Sequence, residues 1–495
     1  MRKWKGAKAL ANCKLKKEYQ DFDYELSDLS WKQEVATFQL MQSKLIHESP
    51  KVSVIIANYN NAPYLEQMLT SLVTQTIGIE NMQVLFIDDR STDNSLDIIK
   101  PYLEKFPNIE LYHLDKNTGG AHGPRNVGLL HARAEYLVIL DSDDWYDINA
   151  LKYMSDLLDK TGDNFLASGV IQSVDGKLSL KSKPYFYDGD FENRSIQDLP
   201  AEFYGWLGPQ GLMVRRSLVI DNNLHFVNQR VADDVTFFYE ALRFSKTITQ
   251  GKELTTYLNR DADNKSLSKA INRTFMISWL RALSYINQTF PDDKSKERFL
   301  SRRIEWLIHD FVLKRNIGYK YSKKRLIDFK TNLDFYLGNI TFDPSPYFRN
   351  DFRKTSWQYL ENNDISGLYR FIFLFSVRWV LNRKLGMKTL MAGTYYYPKL
   401  LPVLPQTRLD AYAYGKQHCE NGLIVNVYSY KQLIGFEYRE LAQPYVSRKS
   451  LSYEQLSEHT YCVKIPEEFK DSKHYFAVNF DDYSEIGIKG LKKYI

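Results

Sequence analysis

The feature that most constrains the fold of this 495-residue chain is a run of alternating strand and helix patterns near its start. Short apolar runs at 51–60, 82–93, 109–115 and 135–145 are typical of buried strands, and the stretches between them carry apolar residues at helical spacing. Alternation at this pitch predicts an α/β fold, in which a parallel sheet is covered by helices on both faces.

Polar residues follow three of these predicted strands at the point where each strand ends. They are Asn58 to Asn60, Asp88 with Asp89, and the run Asp141 to Asp144. In open α/β sheets, ligands bind beyond the carboxyl ends of the strands. One Asp after a strand is usually a turn residue, but three such ends in one sheet favour a functional site.

The run DSDD at 141–144 points to a divalent cation. Asp141 and Asp143 are two residues apart at a strand end, so their carboxylates can face the same space. Oxygen ligands of this kind suit Mg²⁺ or Mn²⁺, which are usually shared with substrate phosphates. The alternative is an Asp-rich turn that caps the next helix.

The segment KNTGGAHGPRNVGL at 116–129 follows a strand and opens a helix. Glycines there let backbone N–H groups approach a phosphate, and Arg125 adds positive charge. The segment differs from GxGxxG only at Thr118, so a dinucleotide-dependent oxidoreductase has to be considered. Against that reading, the segment follows the third strand rather than the first, and DSDD has no role in such an enzyme.

Two further segments carry charged residues in suggestive places. Asp233 and Asp234 begin an amphipathic helix, where they either cap the helix or supply a general base. The polar loop at 260–268 contains Arg260 and Ser266, which can hold a diphosphate or can simply form a surface loop.

The rest of the chain predicts a domain plan. Segment 31–46 has helical spacing, residues 271–400 are rich in helical patterns, and period-two alternation begins near 405, as in a small β-sandwich. The predicted plan has four parts: an N-terminal extension at 1–50, an α/β domain at 51–270, a helical linker region at 271–404 and a C-terminal β domain at 405–495. The last of these is predicted to be immunoglobulin-like or polymer-binding.

Composition narrows the function classes. The net charge of +6 is too small for general nucleic-acid binding, although it suits an anionic polymer or membrane surface. Three widely separated cysteines predict neither a zinc site nor a disulfide framework. No signal-peptide core or long apolar run is visible, so we expect a cytoplasmic protein. The aromatic, basic stretch 368–388 predicts either peripheral contact with the inner membrane face or, more in keeping with its scattered cations, a buried helix.

Four motifs in order resemble one enzyme family. The segments VSVIIANYNNAPYLEQMLTSLVTQT, VLFIDDRSTDNS, NTGGAHGPRNVGL and YLVILDSDDW are similar to the family 2 inverting glycosyltransferases, which have a GT-A fold, and the resemblance covers about 51–270. The segment ADDVTFF also resembles the family's acceptor-side motif, with Asp233 replacing the usual Glu.

The resemblance implies roles for individual residues. Asp234 would be the catalytic base, with Asp233 beside it, and Asp143 would bind Mn²⁺ or Mg²⁺. The UDP-sugar donor would be bound by the following residues: Ala57, Tyr59, Asp88, Asn117, Arg125, Asp141, Asp143, Arg260 and Ser266.

The layout of the whole chain resembles bacterial poly(ribitol-phosphate) N-acetylglucosaminyltransferases of wall teichoic acid synthesis. This implies transfer of N-acetylglucosamine from a UDP-sugar to an anionic polyol-phosphate polymer, and homo-oligomers formed through the C-terminal region. Alternatives are another glycan acceptor, namely a capsular or lipid-linked oligosaccharide, and a non-catalytic polymer-binding protein.

Overall fold

The structure is a computed structural model, and it describes most of the chain. The described residues are 38–42, 49–182, 191–205, 207–261, 263–264, 272–314, 322–384, 389–391, 394–396, 401, 403–419, 422–440, 449–466, 474–480 and 485–487. The chain divides into two compact units, which are taken separately below: 1–199, 203–300 and 331–343 in the first, and 200–202, 301–330 and 344–495 in the second. The four-part domain plan stays a prediction.

The first unit is built on one large sheet. Its strands are β1 (Phe38–Gln42), β2 (Val52–Asn58), β3 (Met82–Asp88), β4 (Ile109–Leu114), β5 (Tyr136–Asp141), β6 (Trp145–Tyr146), β7 (Phe165–Val174), β8 (Lys177–Ser182), β9 (Phe191–Ser195), β10 (Leu212–Arg215) and β11 (Thr247–Asn259). The main strand order is β1-β4-β3-β2-β5-β10-β7-β11-β6, with β8 beside β7 and β9 beside β11.

The centre of the sheet is parallel, as the sequence predicts. Strands β4, β3, β2 and β5 run in one direction, and all seven residues of β3 are buried. Strands buried on both faces read as continuous apolar runs, which is the pattern at 51–60 and 82–88. Beyond β5 the sheet becomes mixed, because β10 is antiparallel to both β5 and β7.

Helices cover both faces of this sheet. They are α1 (Ala62–Val73), α2 (Ser95–Lys105), α3 (His122–His131), α4 (Ala150–Thr161), α6 (Arg216–Asp221) and α7 (Asp233–Ser245), while the short helix α5 (Ala201–Tyr204) is divided between the two units. Apolar residues of α1, α2 and α4 share one core with alternate residues of β2 to β5. Helix α3 packs on the opposite face, where a Cβ on Gly128 would lie 2.3 Å from Ile55 Cγ2. Only glycine allows α3 to approach β2 so closely.

The helix predicted over 31–46 is wrong where the structure describes that segment. Residues 38–42 form β1, which pairs antiparallel with β4, and Gln39 is exposed. Without β1, β4 would be an edge strand with a row of unpaired backbone groups. Pairing with a distant strand therefore outweighs the local helical spacing.

Helices α8 to α12 follow β11. Their bounds are Arg273–Thr289, Lys294–Leu307, Lys323–Leu337, Asp351–Glu361 and Ile365–Lys384. This confirms the helical character predicted for this part of the chain. In the described residues, no helix is both long and apolar enough to cross a membrane.

The C-terminal part of the second unit is made of antiparallel sheets, as the sequence predicts. Its strands are β12 (Thr389–Met391), β13 (Thr394–Tyr396), β14 (Thr407–Arg408), β15 (Ala411–Cys419), β16 (Gly422–Ser429), β17 (Leu433–Glu440), β18 (Lys449–Leu451), β19 (Tyr453–Ser457), β20 (Thr460–Pro466), β21 (His474–Phe480) and β22 (Glu485–Gly487). The first three form a small sheet, and the others form two four-stranded sheets, β15-β16-β20-β19 and β18-β17-β21-β22, around a shared apolar core.

Candidate active site

The carboxyl ends of the parallel strands meet at one edge of the sheet. The register pairs Asn58 with Asp88, Asp88 with His113 and Ala57 with Asp141. The polar residues that the sequence places at three strand ends are therefore neighbours in the fold. Beyond Asn58, Tyr59 is 48% exposed, whereas Asp88 is fully buried.

Three donors hold the buried Asp88 carboxylate. Oδ1 accepts a hydrogen bond from Asn58 Nδ2 at 2.9 Å, and Oδ2 accepts from the Ser91 backbone N–H at 3.0 Å. His113 Nδ1 lies 2.8 Å from the same Oδ2. A buried carboxylate needs such partners, and these three fix its orientation at the end of β3.

His113 has one tautomer that fits its neighbours. Arg90 Nη1 lies 2.9 Å from His113 Nε2, and arginine can only donate. Nε2 is therefore the acceptor, and Nδ1–H donates to Asp88. This chain of hydrogen bonds orients the Asp88 carboxylate, and no motif in the sequence indicates it.

Asp89 fixes the loop before α3. Its carboxylate accepts from the Thr118 backbone N–H at 2.8 Å and from Thr118 Oγ1 at 3.0 Å, and Asn117 Nδ2 donates to the Asp89 carbonyl at 2.8 Å. Burial raises the pKa of Asp89 to about 6, and the neighbouring Asp88 adds to the rise. Thr118 is thus a structural anchor at the place where a dinucleotide motif would need glycine, which argues against the oxidoreductase reading.

Arg125 is the hub of the site. Its Nη1 donates to Asp233 Oδ2 at 2.8 Å, and its Nη2 donates to Asp141 Oδ1 at 2.7 Å. Burial alone would lower the pKa of Arg125, but Asp233 and Asp141 raise it above its usual value. The guanidinium also lies over the Phe226 ring, 5.4 Å from its centroid. One buried cation therefore joins α3, the end of β5 and the start of α7.

Helix α3 is fixed to the loop that leads into α7. The side-chain amide of Asn126 both donates to the Phe226 carbonyl and accepts from the Phe226 N–H, each at 2.8 Å. His122 Nδ1 lies 3.1 Å from the Gln229 carbonyl. These contacts set the position at which Asp233 and Asp234 begin their helix, just after Ala232 with φ of 64°.

The DSDD run forms a compact acidic cluster. Asp141, Asp143 and Asp144 each have an oxygen within 4.8 Å of the others'. Gln210 Nε2 donates to Asp141 and Asp144, and Asn264 Nδ2 donates to Asp143 Oδ2 at 2.6 Å. Burial, followed by the neighbouring carboxylates, raises the pKa of Asp143 and of Asp144.

This cluster fits a divalent cation. Hard oxygen ligands at this spacing suit Mg²⁺ or Mn²⁺, and a cation would offset the repulsion between the carboxylates. Asp144 is buried, and its two oxygens accept from Gln210 and from the Asn259 backbone N–H. Asp143 is partly exposed, so it is the better candidate ligand of these two.

Asp234 is the acid that faces outward beside the hub. It is partly exposed, and its Oδ1 accepts from the Val235 N–H at 2.9 Å. Burial raises the pKa of Asp234 to about 6, with the charge on Asp233 as the next cause. Asp233 is instead buried and committed to Arg125. Of the two, Asp234 has the freer carboxylate for accepting a proton near neutral pH.

Three predicted donor residues remain, and the structure describes two of them. Arg260 follows β11, and its positive charge offsets part of the rise in the pKa of Asp143, so the two interact electrostatically. Asn117 is exposed at the loop before α3. Ser266 lies outside the described residues, so its assignment stays a prediction. The roles of all these residues in binding a donor also stay predictions.

The fold and site are similar to known glycosyltransferases. The model of the glycosyl transferase family 2 matches residues 53–211. The poly(ribitol-phosphate) beta-N-acetylglucosaminyltransferase TarP of Staphylococcus aureus is 30% identical over 306 residues, which cover 60% of this chain and 91% of TarP. The poly(ribitol-phosphate) beta-glucosyltransferase of Bacillus spizizenii is 25% identical and matches 65% of this chain and 50% of its own length.

The chain spans about half the length of some curated relatives that it matches. The alignment covers 46% of S. aureus TarS, a poly(ribitol-phosphate) beta-N-acetylglucosaminyltransferase, at 26% identity. The crystal structure of TarS residues 1–349 in complex with UDP-GlcNAc aligns with a TM-score of 0.56 and 21% identity, covering 70% of this chain and 97% of that one. This likeness shows that the two share a GT-A fold.

Proposed function

The chain belongs to glycosyltransferase family 2, and from that membership we propose that it transfers a sugar from a UDP-sugar to a hydroxyl of a poly(ribitol phosphate) wall teichoic acid. N-acetylglucosamine is the first candidate sugar, since TarP and TarS are named for its transfer, although the Bacillus relative is named for glucose. The observation that carries the proposal is the pair of adjacent acids at the head of α7, one bound to Arg125 and one free to act.

The acceptor side of the reaction rests on Asp234. With a pKa of about 6, its carboxylate is ionised at neutral pH and can remove the proton from an acceptor hydroxyl. The oxygen attacks the anomeric carbon from the face opposite UDP, a new C–O bond forms, and UDP leaves with the electron pair of the broken bond. One displacement of this kind inverts the configuration and needs no covalent enzyme intermediate.

In this proposal, the UDP-sugar donor binds at the carboxyl ends of the parallel strands. Asp88 hydrogen-bonds the uracil, which Ala57 and Tyr59 line, while Asn117 and Arg125 lie near the nucleotide. Asp141 contacts the ribose or sugar, and Arg260 and Ser266 hold the diphosphate. Asp143 would hold a bound Mn²⁺ or Mg²⁺, which would offset the negative charge that develops on the leaving diphosphate.

Arg125 positions other residues of the site and does not itself take part in the reaction. By pairing with Asp141 and Asp233 at once, it fixes the donor-side carboxylate relative to the start of α7. Electrostatic groups fixed before reaction stabilise charge without reorganising, which is the largest contribution in many enzymes.

The test is UDP release from a panel of UDP-sugars with Mn²⁺, with and without poly(ribitol phosphate). We expect release that requires both one donor and the polymer. Release of UDP from one donor without a need for this polymer would still indicate a glycosyltransferase. It would favour a capsular or lipid-linked oligosaccharide as the acceptor. Polymer binding with no release from any donor would favour a non-catalytic binding protein.

Cellular context stays a prediction. The proposal includes a cytoplasmic location and assembly through the C-terminal region, and for residues 368–388 it favours a buried helix, with contact with the inner face of the membrane as the alternative. None of these follows from the position of the acidic residues.

A further inference from the structure

A second concave surface lies at the opposite edge of the sheet from the acidic site. This cleft has a volume of about 700 Å³. Its lining includes Lys51, Asn81 and Glu135, which come directly before the parallel strands β2, β3 and β5. The acidic site lies at the carboxyl ends of the same strands, so the length of β2, about 20 Å for seven residues, separates the two.

Cations outnumber carboxylates among the residues that line the cleft. Its lining contains four cations, Lys51, Arg133, Arg215 and Arg216, but only two carboxylates, Glu135 and Asp221. Lys51 and Arg215 both pair with Glu135, and Arg133 pairs with the buried Glu110. Lys51 also pairs with Asp159, so acids neutralise three of the four cations, and within the described residues Arg216 is the cation of this lining whose charge no ion pair offsets.

Arg216 differs from the other three. Its Nε donates to the Ala132 carbonyl at 2.7 Å, which fixes the half-buried side chain, and among the described residues no carboxylate forms an ion pair with it. A guanidinium held through Nε presents its terminal amino groups as a fork that matches two oxygens of one phosphate.

We propose that this cleft binds a phosphodiester of the anionic acceptor polymer, with Arg216 as the main contact. The inference rests on the proposed function, because it assumes a polymer that carries phosphates along its length. Such a polymer can be held here by units that do not react while another unit occupies the acidic site. Binding at a second point makes the reacting segment effectively more concentrated near the site.

The shape of the surface favours a polymer over a membrane. The cations line a concave cleft, and Arg216 is half-buried, whereas a flat lipid surface is met by projecting side chains. A single flexible strand of polyol phosphate can enter the cleft and follow it.

The experiment uses Ser217→Glu, which adds a negative charge at an exposed position on the cleft lining next to Arg216. Arg216→Gln removes the proposed phosphate-binding group directly. The matched control is Gln67→Glu, which adds the same charge at an exposed position of α1 that does not line the cleft. Binding of fluorescent poly(ribitol phosphate) without donor and transfer to long polymer or to acceptors of one or two repeats are measured for each variant.

We expect Ser217→Glu and Arg216→Gln to raise the Kd and KM for long polymer about fivefold or more, with the KM for UDP-sugar, the KM for short acceptors and kcat unchanged. The slope of log Kd against log salt should fall by about 1 in Arg216→Gln, because the variant neutralises one phosphate fewer. Gln67→Glu should change none of these.

Several results would overturn the proposal. Long-polymer binding that is unaffected by both variants would do so, as would equal losses for long and short acceptors. Loss of binding to phosphatidylglycerol vesicles with polymer binding intact would assign the cleft to a membrane instead. If wild-type protein binds the polymer but does not transfer sugar to it, the proposed function is wrong. The binding measurements on the variants still show in that case whether the cleft binds the polymer.

Discussion

Replacing Arg125 by methionine tests whether the buried hub stabilises the fold. The change keeps a similar volume but leaves Asp233 and Asp141 without their shared cation, and the side chains of Arg125 and Asp233 are each only 5% exposed. Removing one partner of a buried ion pair costs about 3–5 kcal/mol, because the other charge stays desolvated and unpaired. The first unit has about 310 residues, and at about 2.1 cal/mol/K per residue its unfolding entropy is about 0.65 kcal/mol/K. The unfolding midpoint should therefore fall by about 5–8 °C.

The matched control is Lys152→Met on α4. Lys152 pairs with Asp156 four residues later, but these side chains are 52% and 58% exposed, so the free energy of unfolding should change by only about 0.3–0.5 kcal/mol. Thermal unfolding of both variants and wild type is followed by far-UV circular dichroism at pH 7.5. The double variant Arg125→Met/Asp233→Asn should recover part of the loss, because it removes one of the unpaired charges.

Lowering the pH should reduce the loss of stability that Arg125→Met causes. Burial already raises the pKa of Asp233, and loss of the guanidinium raises it further, so the carboxyl protonates and becomes neutral at a higher pH. The difference in midpoint between wild type and variant should therefore be smaller at pH 5 than at pH 7.5. A midpoint within about 2 °C of wild type at pH 7.5 would refute the assignment of Arg125 as a stabilising hub.

Three further predictions concern binding and catalysis. The specificity constant kcat/KM for transfer should fall about tenfold per pH unit below about pH 6, because Asp234 becomes protonated. A value of kcat/KM that stays constant from pH 5 to 8 would contradict the assignment of Asp234 as the base. Asp143→Ala should weaken UDP-sugar binding measured by calorimetry with Mn²⁺ but leave it unchanged in EDTA, and an equal loss in both would argue against a metal role. His113→Leu should raise the Kd for UDP about threefold to tenfold, because Asp88 loses one orienting donor, with little change in kcat; unchanged UDP affinity would show that His113 is only structural.

The central sheet could be predicted because its signals are local. Apolar runs such as 51–60 and 82–88 are buried on both faces, and parallel pairing sends their polar ends to one edge whatever the detailed packing. This is why the juxtaposition of Asn58, Asp88 and Asp141 follows from the strand pattern. The antiparallel C-terminal strands are likewise visible from period-two alternation.

Other features depend on partners far away in the chain. Strand β1 forms because β4 offers it an edge, and nothing within 31–46 reveals that edge. The charge of Arg125 near a phosphate-binding loop is visible in the sequence, but its pairing with Asp233 spans 108 positions. Gln210 and His113 give no signal of their own, since a single Gln or His has no motif around it. A carboxylate predicted to be buried does imply donors, but the sequence does not say which residues supply them.

The most direct test of the account separates the two acids at the head of α7. UDP release and UDP-sugar affinity are measured for Asp234→Asn, Asp233→Asn and wild type, with the preferred donor and acceptor polymer. We predict that Asp234→Asn abolishes transfer while UDP-sugar affinity stays within about threefold of wild type, because the amide keeps the shape but cannot accept the proton. Near-normal turnover by Asp234→Asn, with activity lost instead in Asp233→Asn, would contradict the central claim and make Asp233 the base.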